Sequence, residues 1–204
     1  NFSLLKFFIR RSRRILPALF FLFIVLFIYS YFKSLPEDFI SFSKQSIFSS
    51  LFSSNLYFYF NQFEYQNVNS QLLPLLHTWS LSIEEQYYII YPLILLVVYK
   101  LSKNNLSTVI FTLFLFSFTY SLYLDQVNKT LSFFSIQSRF WELAVGCLLA
   151  LKIKKISVYL LKKNILIYFG ILLIFVSFIL FNDEYQNRTL ATLIPIIGTI
   201  FIIV

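Results

Sequence analysis

The side chains best suited to chemistry are gathered between Leu72 and Leu96, in LLPLLHTWSLSIEEQYYIIYPLILL. This stretch holds His77, the only histidine, and two adjacent acids, Glu84 and Glu85, ahead of a long apolar run. Helical spacing places His77, Leu81, Glu84, Glu85 and Tyr88 on or near one face. An imidazole and a carboxylate so placed can accept a proton or hold a hydroxyl. Carboxylates at the mouth of a membrane helix are costly to bury, which makes them functional candidates; the alternative is a pair of solvated head-group residues at a helix end. A second candidate is Arg139 with Glu142 in S-R-F-W-E-L-A-V-G-C, three residues apart and able to pair on a helix. That pair either fixes helix packing or faces an aqueous cavity. The third is the acid-free segment Asn1 to Leu16, with Lys6, Arg10, Arg11, Arg13 and Arg14. Its arginines either set topology or bind phosphates, whose oxygens match the guanidinium fork.

The elements that must position these groups are apolar. Of 204 residues, 58% are hydrophobic, 21% aromatic and only 13% charged, and the mean hydropathy is +0.75. A water-soluble domain has roughly twice that share of charged residues, so the solvent must largely be lipid. The formal charge of +8 sits between apolar runs, as the positive-inside rule requires, and does not argue for nucleic acid. The single Cys147 excludes an internal disulfide and reads as a small buried hydrophobe. No zinc-ligand spacing occurs, so no metal is expected.

Spans are expected from Pro17, opening a first helix, to about Phe32, then at about Ile83–Leu101, Leu106–Leu124, Leu131–Leu151 and about Ile165–Phe181. An incomplete span follows from near Thr189. Between Lys33 and Phe60, Ile47, Phe48, Leu51 and Phe52 fall on one helical face and Ser46, Ser49, Ser50, Ser53 and Ser54 mostly opposite. This predicts an amphipathic helix at the membrane surface or against other helices. Asn61 to Ser70, Asp125 to Lys129, Lys152 to Lys163 and Asn182 to Arg188 read as loops. The fold class is therefore all-α: a polytopic transmembrane bundle with about five full spans, one truncated span and an amphipathic interfacial helix, forming a single membrane domain over 1–204. Asn1 and the closing apolar run Ile200–Val204 suggest a chain truncated at both ends. The basic segments at Lys6–Arg14, Lys100 with Lys103, and Lys152–Lys163 belong on the cytoplasmic side, which places His77 outside and keeps Lys33–Phe60 from crossing.

The wording of these segments carries a resemblance. H-T-W-S-L-S-I-E-E-Q-Y-Y-I-I-Y-P resembles the signature of the acyltransferase-3 family of integral membrane proteins, in particular its O-antigen and surface-polysaccharide O-acetylase branch. F-F-I-R-R-S-R-R-I-L-P is similar to the family's R-R-x-x-R-I-x-P segment. S-R-F-W-E-L-A-V-G-C is similar to its R-x-W-E-L-x-x-G run, and R-T-L-A-T-L-I-P-I-I-G-T to a later helix in which Pro195 and Gly198 are structural. The resemblance implies about ten transmembrane helices in the bacterial cytoplasmic membrane. It implies transfer of an acyl group, usually acetyl, from cytoplasmic acetyl-CoA or a similar acyl-CoA co-substrate to a hydroxyl of an extracytoplasmic glycan. The acceptor would be O-antigen, exopolysaccharide, peptidoglycan or a lipid-linked saccharide, with no bound cofactor and membrane lipid as the surroundings. It implies donor binding by Arg10, Arg11 and Arg14, with Arg13 less certain. It gives His77 and Glu84 supporting catalytic roles, and puts Trp79, Ser80, Gln86, Arg139 and Glu142 at the acceptor site or in structural positions. Glu85 falls where the family varies and ranks below Glu84. The family's principal catalytic histidine lies on a helix preceding the segment where this chain begins, so the fragment by itself is expected to be inactive.

The chemistry is coherent with basic groups inside and His and Glu groups outside, as a donor and an acceptor on opposite sides would require. Two other classes remain open: a transporter or flippase, with Glu84, Arg139 and Glu142 forming an ion or lipid-phosphate pathway, and a scaffold. A transporter would move substrate without consuming an acyl donor.

Overall fold

The computed structural model describes residues 3–61, 73–101, 105–159, 163–181 and 187–204, with the side chains of 101, 152–159, 163 and 164 outside that description. The elements among the described residues are all helices, as expected, and no strand occurs among them. Two compact units divide inside a helix, at Pro92.

The first unit, Asn1–Pro92, contains α1 (Leu4–Lys33), α2 (Pro36–Ser50), α3 (Ser54–Phe60) and the start of α4 (Thr78–Leu101). The first helix begins thirteen residues earlier than the expected span, at Leu4 and not at Pro17. Ser3 caps it by accepting from the Lys6 amide at 3.5 Å. Pro17 is carried inside, which lipid-facing helices tolerate better than soluble ones. Its 30 residues reach about 45 Å, more than a hydrocarbon core of ~30 Å. Only Leu19 and Ser30 of this helix are buried, and Phe21 and Phe32 are 70% and 75% exposed, a surface suited to lipid contact. Pro36 at the first turn, with Glu37 and Asp38 beside it, starts α2. The Phe39 ring folds this helix back onto Phe27 and Tyr31.

The predicted amphipathic helix is two helices, with polar groups on the buried side and apolar ones exposed. Gln45, Ser49, Ser54 and Asn55 are buried, while Ile47 and Leu51 are exposed. Where lipid replaces water, the apolar side faces outward and the polar side satisfies itself inside the protein. The break between α2 and α3 falls at Phe52, whose φ of 51° is left-handed, a conformation costing a non-glycine residue about 1–2 kcal/mol.

The second unit, Leu93–Val204, holds the end of α4, α5 (Leu106–Val127), α6 (Lys129–Phe134), α7 (Ile136–Tyr159), α8 (Lys163–Leu180) and α9 (Arg188–Ile203). The expected span Leu131–Leu151 is interrupted at Ser135: Asn128 caps α6 through the Leu131 amide at 2.8 Å, and Ser138 closes the break by donating to the Ser132 carbonyl at 2.6 Å. The expected basic loop from Lys152 is helical through Tyr159. The Ser117 hydroxyl inserts into the backbone ladder of α7, donating to the Gln137 carbonyl at 2.6 Å and accepting from the Trp141 amide at 3.0 Å. The Trp141 ring packs edge-on against Phe114 and Phe118. Gly170 and Gly198 bring α8 and α9 into backbone contact. Cys147 is half-buried.

Among the described residues three helices are long and apolar enough to cross a membrane, Leu4–Lys33, Thr78–Lys100 and Leu106–Val127, and Ile165–Leu180 and Arg188–Ile203 are shorter apolar helices. Of the expected loops Asn61–Ser70 and Asn182–Arg188, residues 62–70 and 182–186 lie outside the described residues, and Arg188 already belongs to α9.

Candidate functional site

The chemistry-rich stretch enters α4 through a turn. Leu75 and Leu76 are buried, and the Thr78 and Trp79 amides donate to the Leu75 and Leu76 carbonyls at 3.0 and 3.1 Å. The helical period then sorts the side chains. Thr78, Trp79, Ser82, Ile83 and Glu85 point inward, while His77, Ser80 and Glu84 are exposed. Ser80 donates to the His77 carbonyl at 3.1 Å.

The inward groups meet the buried polar side of α2 and α3. Ser49 and Thr78 hydroxyls are 2.7 Å apart, Thr78 and Ser54 3.1 Å, and Ser54 and Ser82 2.8 Å. The Gln45 side chain accepts from the Leu75 amide at 3.4 Å. Gln86 donates at 2.8 Å to both the Phe52 carbonyl and the Asn55 side-chain oxygen. It thereby holds the left-handed Phe52 from a residue on another helix. Each hydroxyl in this seam would otherwise be a buried unmet polar group. Gln86→Leu removes both bonds and strands the Phe52 carbonyl, at about 1 kcal/mol per bond. A loss of roughly 2 kcal/mol is expected, read as a lower thermal midpoint of the detergent-solubilised protein. An unchanged midpoint would show that the turn holds itself.

Beyond the seam, Arg11 of α1 reaches Glu85. Its Nε and Nη2 both donate to Glu85 Oε1, at 3.2 and 2.7 Å, and its guanidinium carbon lies 3.3 Å from the centre of the Tyr88 ring. An ion pair of 2.7 Å cannot straddle a hydrocarbon core of ~30 Å. The expected separation of arginines inside from glutamates outside is therefore overturned at this point: Arg11 and Glu85 share one level. The two acids also exchange order in placement. Glu85 is the buried and paired one, while Glu84 and His77 are exposed and stand outside the seam among the described residues. Arg10, Arg13 and Arg14 are exposed as well. Trp79 is buried. By sequence Glu85 ranked below Glu84, and Thr78 and Ser82 were not singled out; their common signal is the recurrence at 78, 82 and 85, which a helix turns to one side.

The second unit holds a separate charge network. Arg139 pairs with Glu142 at 3.5 Å, as their spacing predicts, and donates through Nε to the Phe133 carbonyl at 2.9 Å. Glu142 also receives Arg188 Nη1 at 3.1 Å. Arg188 Nη2 donates to Ser121 and Ser132 at 3.1 and 3.3 Å, and its Nε stands 4.0 Å from Asp125. Asp125, nearly fully buried, accepts from the Thr189 amide at 2.7 Å. Two acids and two arginines thus join α5, α7 and α9. Asp125 and Arg188 read as loop residues in the sequence because each adjoins a span end; only the fold turns them inward. Among the described residues no three His, Cys, Asp or Glu side chains converge to hold a metal.

The sequence is similar to known proteins. A family model described as an acyltransferase domain, acyltransferase-3, matches residues 1–204. The chain is 33% identical to the peptidoglycan O-acetyltransferase OatA of Listeria monocytogenes, over 91% of this chain and 31% of that protein. It is 31% identical to the O-acetyltransferase OatA of Staphylococcus aureus, over 72% of this chain and 25% of that protein. It is also 34% identical to an uncharacterized protein of Haemophilus influenzae, over 100% of this chain and 87% of that one. The chain therefore spans about a third or less of the OatA proteins it matches. No solved structure matches. The apolar helices, the arginine segment packed on the I-E-E-Q helix and the match over the whole length agree: this chain belongs to the acyltransferase-3 family.

Proposed function

We propose that the protein is a multi-pass O-acyltransferase of a bacterial cytoplasmic membrane, moving an acetyl group from a cytoplasmic acyl-CoA co-substrate to a hydroxyl of an extracytoplasmic glycan. Peptidoglycan or a related lipid-linked or surface polysaccharide fits the relatives named as O-acetyltransferases. The observation that carries the reading is a charged, half-shielded Arg11 held against the I-E-E-Q helix, within the range the family model covers. In the reaction an acceptor oxygen attacks the thioester carbonyl carbon. The C–O bond forms, the C–S bond breaks, the acceptor proton passes to a base and the coenzyme leaves as thiolate. Such a transfer needs a cationic site for donor phosphates, and Arg11 with the exposed Arg10 and Arg14 supplies one. His77 and Glu84, exposed at the start of α4, are given the acceptor hydroxyls, with Ser80 beside them.

The test is labelled acetyl-CoA added to membranes carrying the full-length protein, followed by analysis of labelled glycan. Label in an O-acetyl ester of the glycan supports the reading. Movement of a lipid-linked substrate without acyl consumption overturns it in favour of a transporter. Arg11→Lys keeps the charge but loses the planar fork, so it is expected to raise the KM for acetyl-CoA about tenfold, the effect of losing one charge-assisted bond. An unchanged donor KM would remove Arg11 from the donor site.

A further inference from the structure

We propose that Glu85 and Tyr88 are positioning residues that present one edge of Arg11 to a phosphate group; this rests on the donor-site reading above. A guanidinium has a side edge, Nε with Nη2, and an end edge, Nη1 with Nη2, each able to grip an anion with two parallel bonds. Glu85 occupies the side edge through a single oxygen, with Nε at 3.2 Å and Nη2 at 2.7 Å. Tyr88, one helical turn further on, covers one face at 3.3 Å. Glu85 and Tyr88 thus fix the plane and the rotation of the group from two directions. The end edge has no partner among the described residues, and the Arg11 side chain keeps 22% of its exposure against 11% for Glu85. An arginine meant only to neutralise Glu85 has no need of a stacked ring and an open fork. An arginine meant to meet an anion does, because immobilising it beforehand lowers the ordering cost at binding. The occupant is a phosphate oxyanion, either the diphosphate of a coenzyme A donor or that of a lipid-linked saccharide.

The experiment measures dissociation constants of coenzyme A and of a short prenyl diphosphate for the full-length protein in lipid nanodiscs, which requires no turnover. Glu85→Gln at matched abundance is expected to weaken the diphosphate that binds there about tenfold, and Glu37→Gln, at an exposed acid in the first turn of α2, to leave it unchanged. Tyr88→Phe keeps the ring and should bind as the parent does, whereas Tyr88→Leu should weaken binding several-fold. In an Arg11→Gln background, Glu85→Gln should add nothing, since its effect passes through Arg11. That double variant has no charge left unpaired, so it keeps the test open if Glu85→Gln alone fails to fold. Weakened coenzyme A binding identifies the donor, and weakened prenyl diphosphate binding the lipid-linked acceptor. Unchanged affinity in Glu85→Gln, a further loss in the Arg11→Gln background, or no binding of either diphosphate by the parent would overturn the proposal. Binding without acetyl transfer would instead sink the acyltransferase reading and leave this one standing.

Discussion

Arg188→Ala is expected to keep the protein from accumulating in the membrane. Arg188 is the shared cation of the second unit: it meets Glu142 at 3.1 Å and Asp125 at 4.0 Å, and its Nη2 joins Ser121 and Ser132. Removing it leaves Asp125, 2% exposed, without a paired cation among the described residues, held by the Thr189 amide and the Ser132 hydroxyl. Breaking a buried pair by deleting one partner costs about 3–5 kcal/mol, because the remaining charge cannot be hydrated. That is a large part of a stability of ~5–15 kcal/mol. The measurement is membrane abundance together with the thermal midpoint of a fluorescent fusion. Arg188→Gln with Asp125→Asn removes both charges, keeps hydrogen-bonding groups in place, and should recover most of the loss. Glu142→Gln, which leaves Arg139 and Arg188 facing each other, should resemble Arg188→Ala. Normal abundance and midpoint in both single variants would show that the network does not hold the helices together.

A side chain at Gly198 or Gly170 is expected to separate α8 from α9. A Cβ at Gly170 would stand 2.5 Å from the Gly198 carbonyl oxygen, and one at Gly198 would stand 2.8 Å from the Gly170 oxygen. Neither obstacle is a movable side-chain tip, so the helix axes themselves must part. In lipid, helix association depends on close packing, since tails are as apolar as leucine. Gly198→Ala and Gly170→Ala should each cost about 2–3 kcal/mol, near the top of the range for overpacking, and larger residues more. Gly146, in α7, is the internal control: a Cβ there meets nothing within 4 Å, and Gly146→Ala should be neutral or stabilising by up to ~1 kcal/mol through helix propensity. Thermal midpoints of the three alanine variants decide the matter. Equal midpoints would mean that α8 and α9 are not held by this contact.

What the sequence by itself determined is the solvent and the periodic elements. Runs of apolar residues with so few charges leave lipid as the only medium, and the expected span at Leu106–Leu124 becomes a helix at Leu106–Val127. The Arg139–Glu142 pair was legible because a helix brings residues three apart together whatever surrounds it. Family membership was legible too, since motif wording survives without any knowledge of packing. The tertiary structure decided which face of each helix looks inward. In water an apolar stripe marks the core. In lipid both sides of an apolar helix are tolerated, so Ser49 of α2 and Ser54 of α3 turned inward and Ile47 turned out. It decided which glutamate matters in the geometry, since Arg11 and Glu85 lie 74 residues apart and meet only when two helices dock. It decided likewise that Asp125 and Arg188, apparent loop residues at span ends, close a charge network with Glu142. Spacing along a helix is a local property that the chain carries with it; pairing between helices depends on their rotation and depth, which no local spacing encodes.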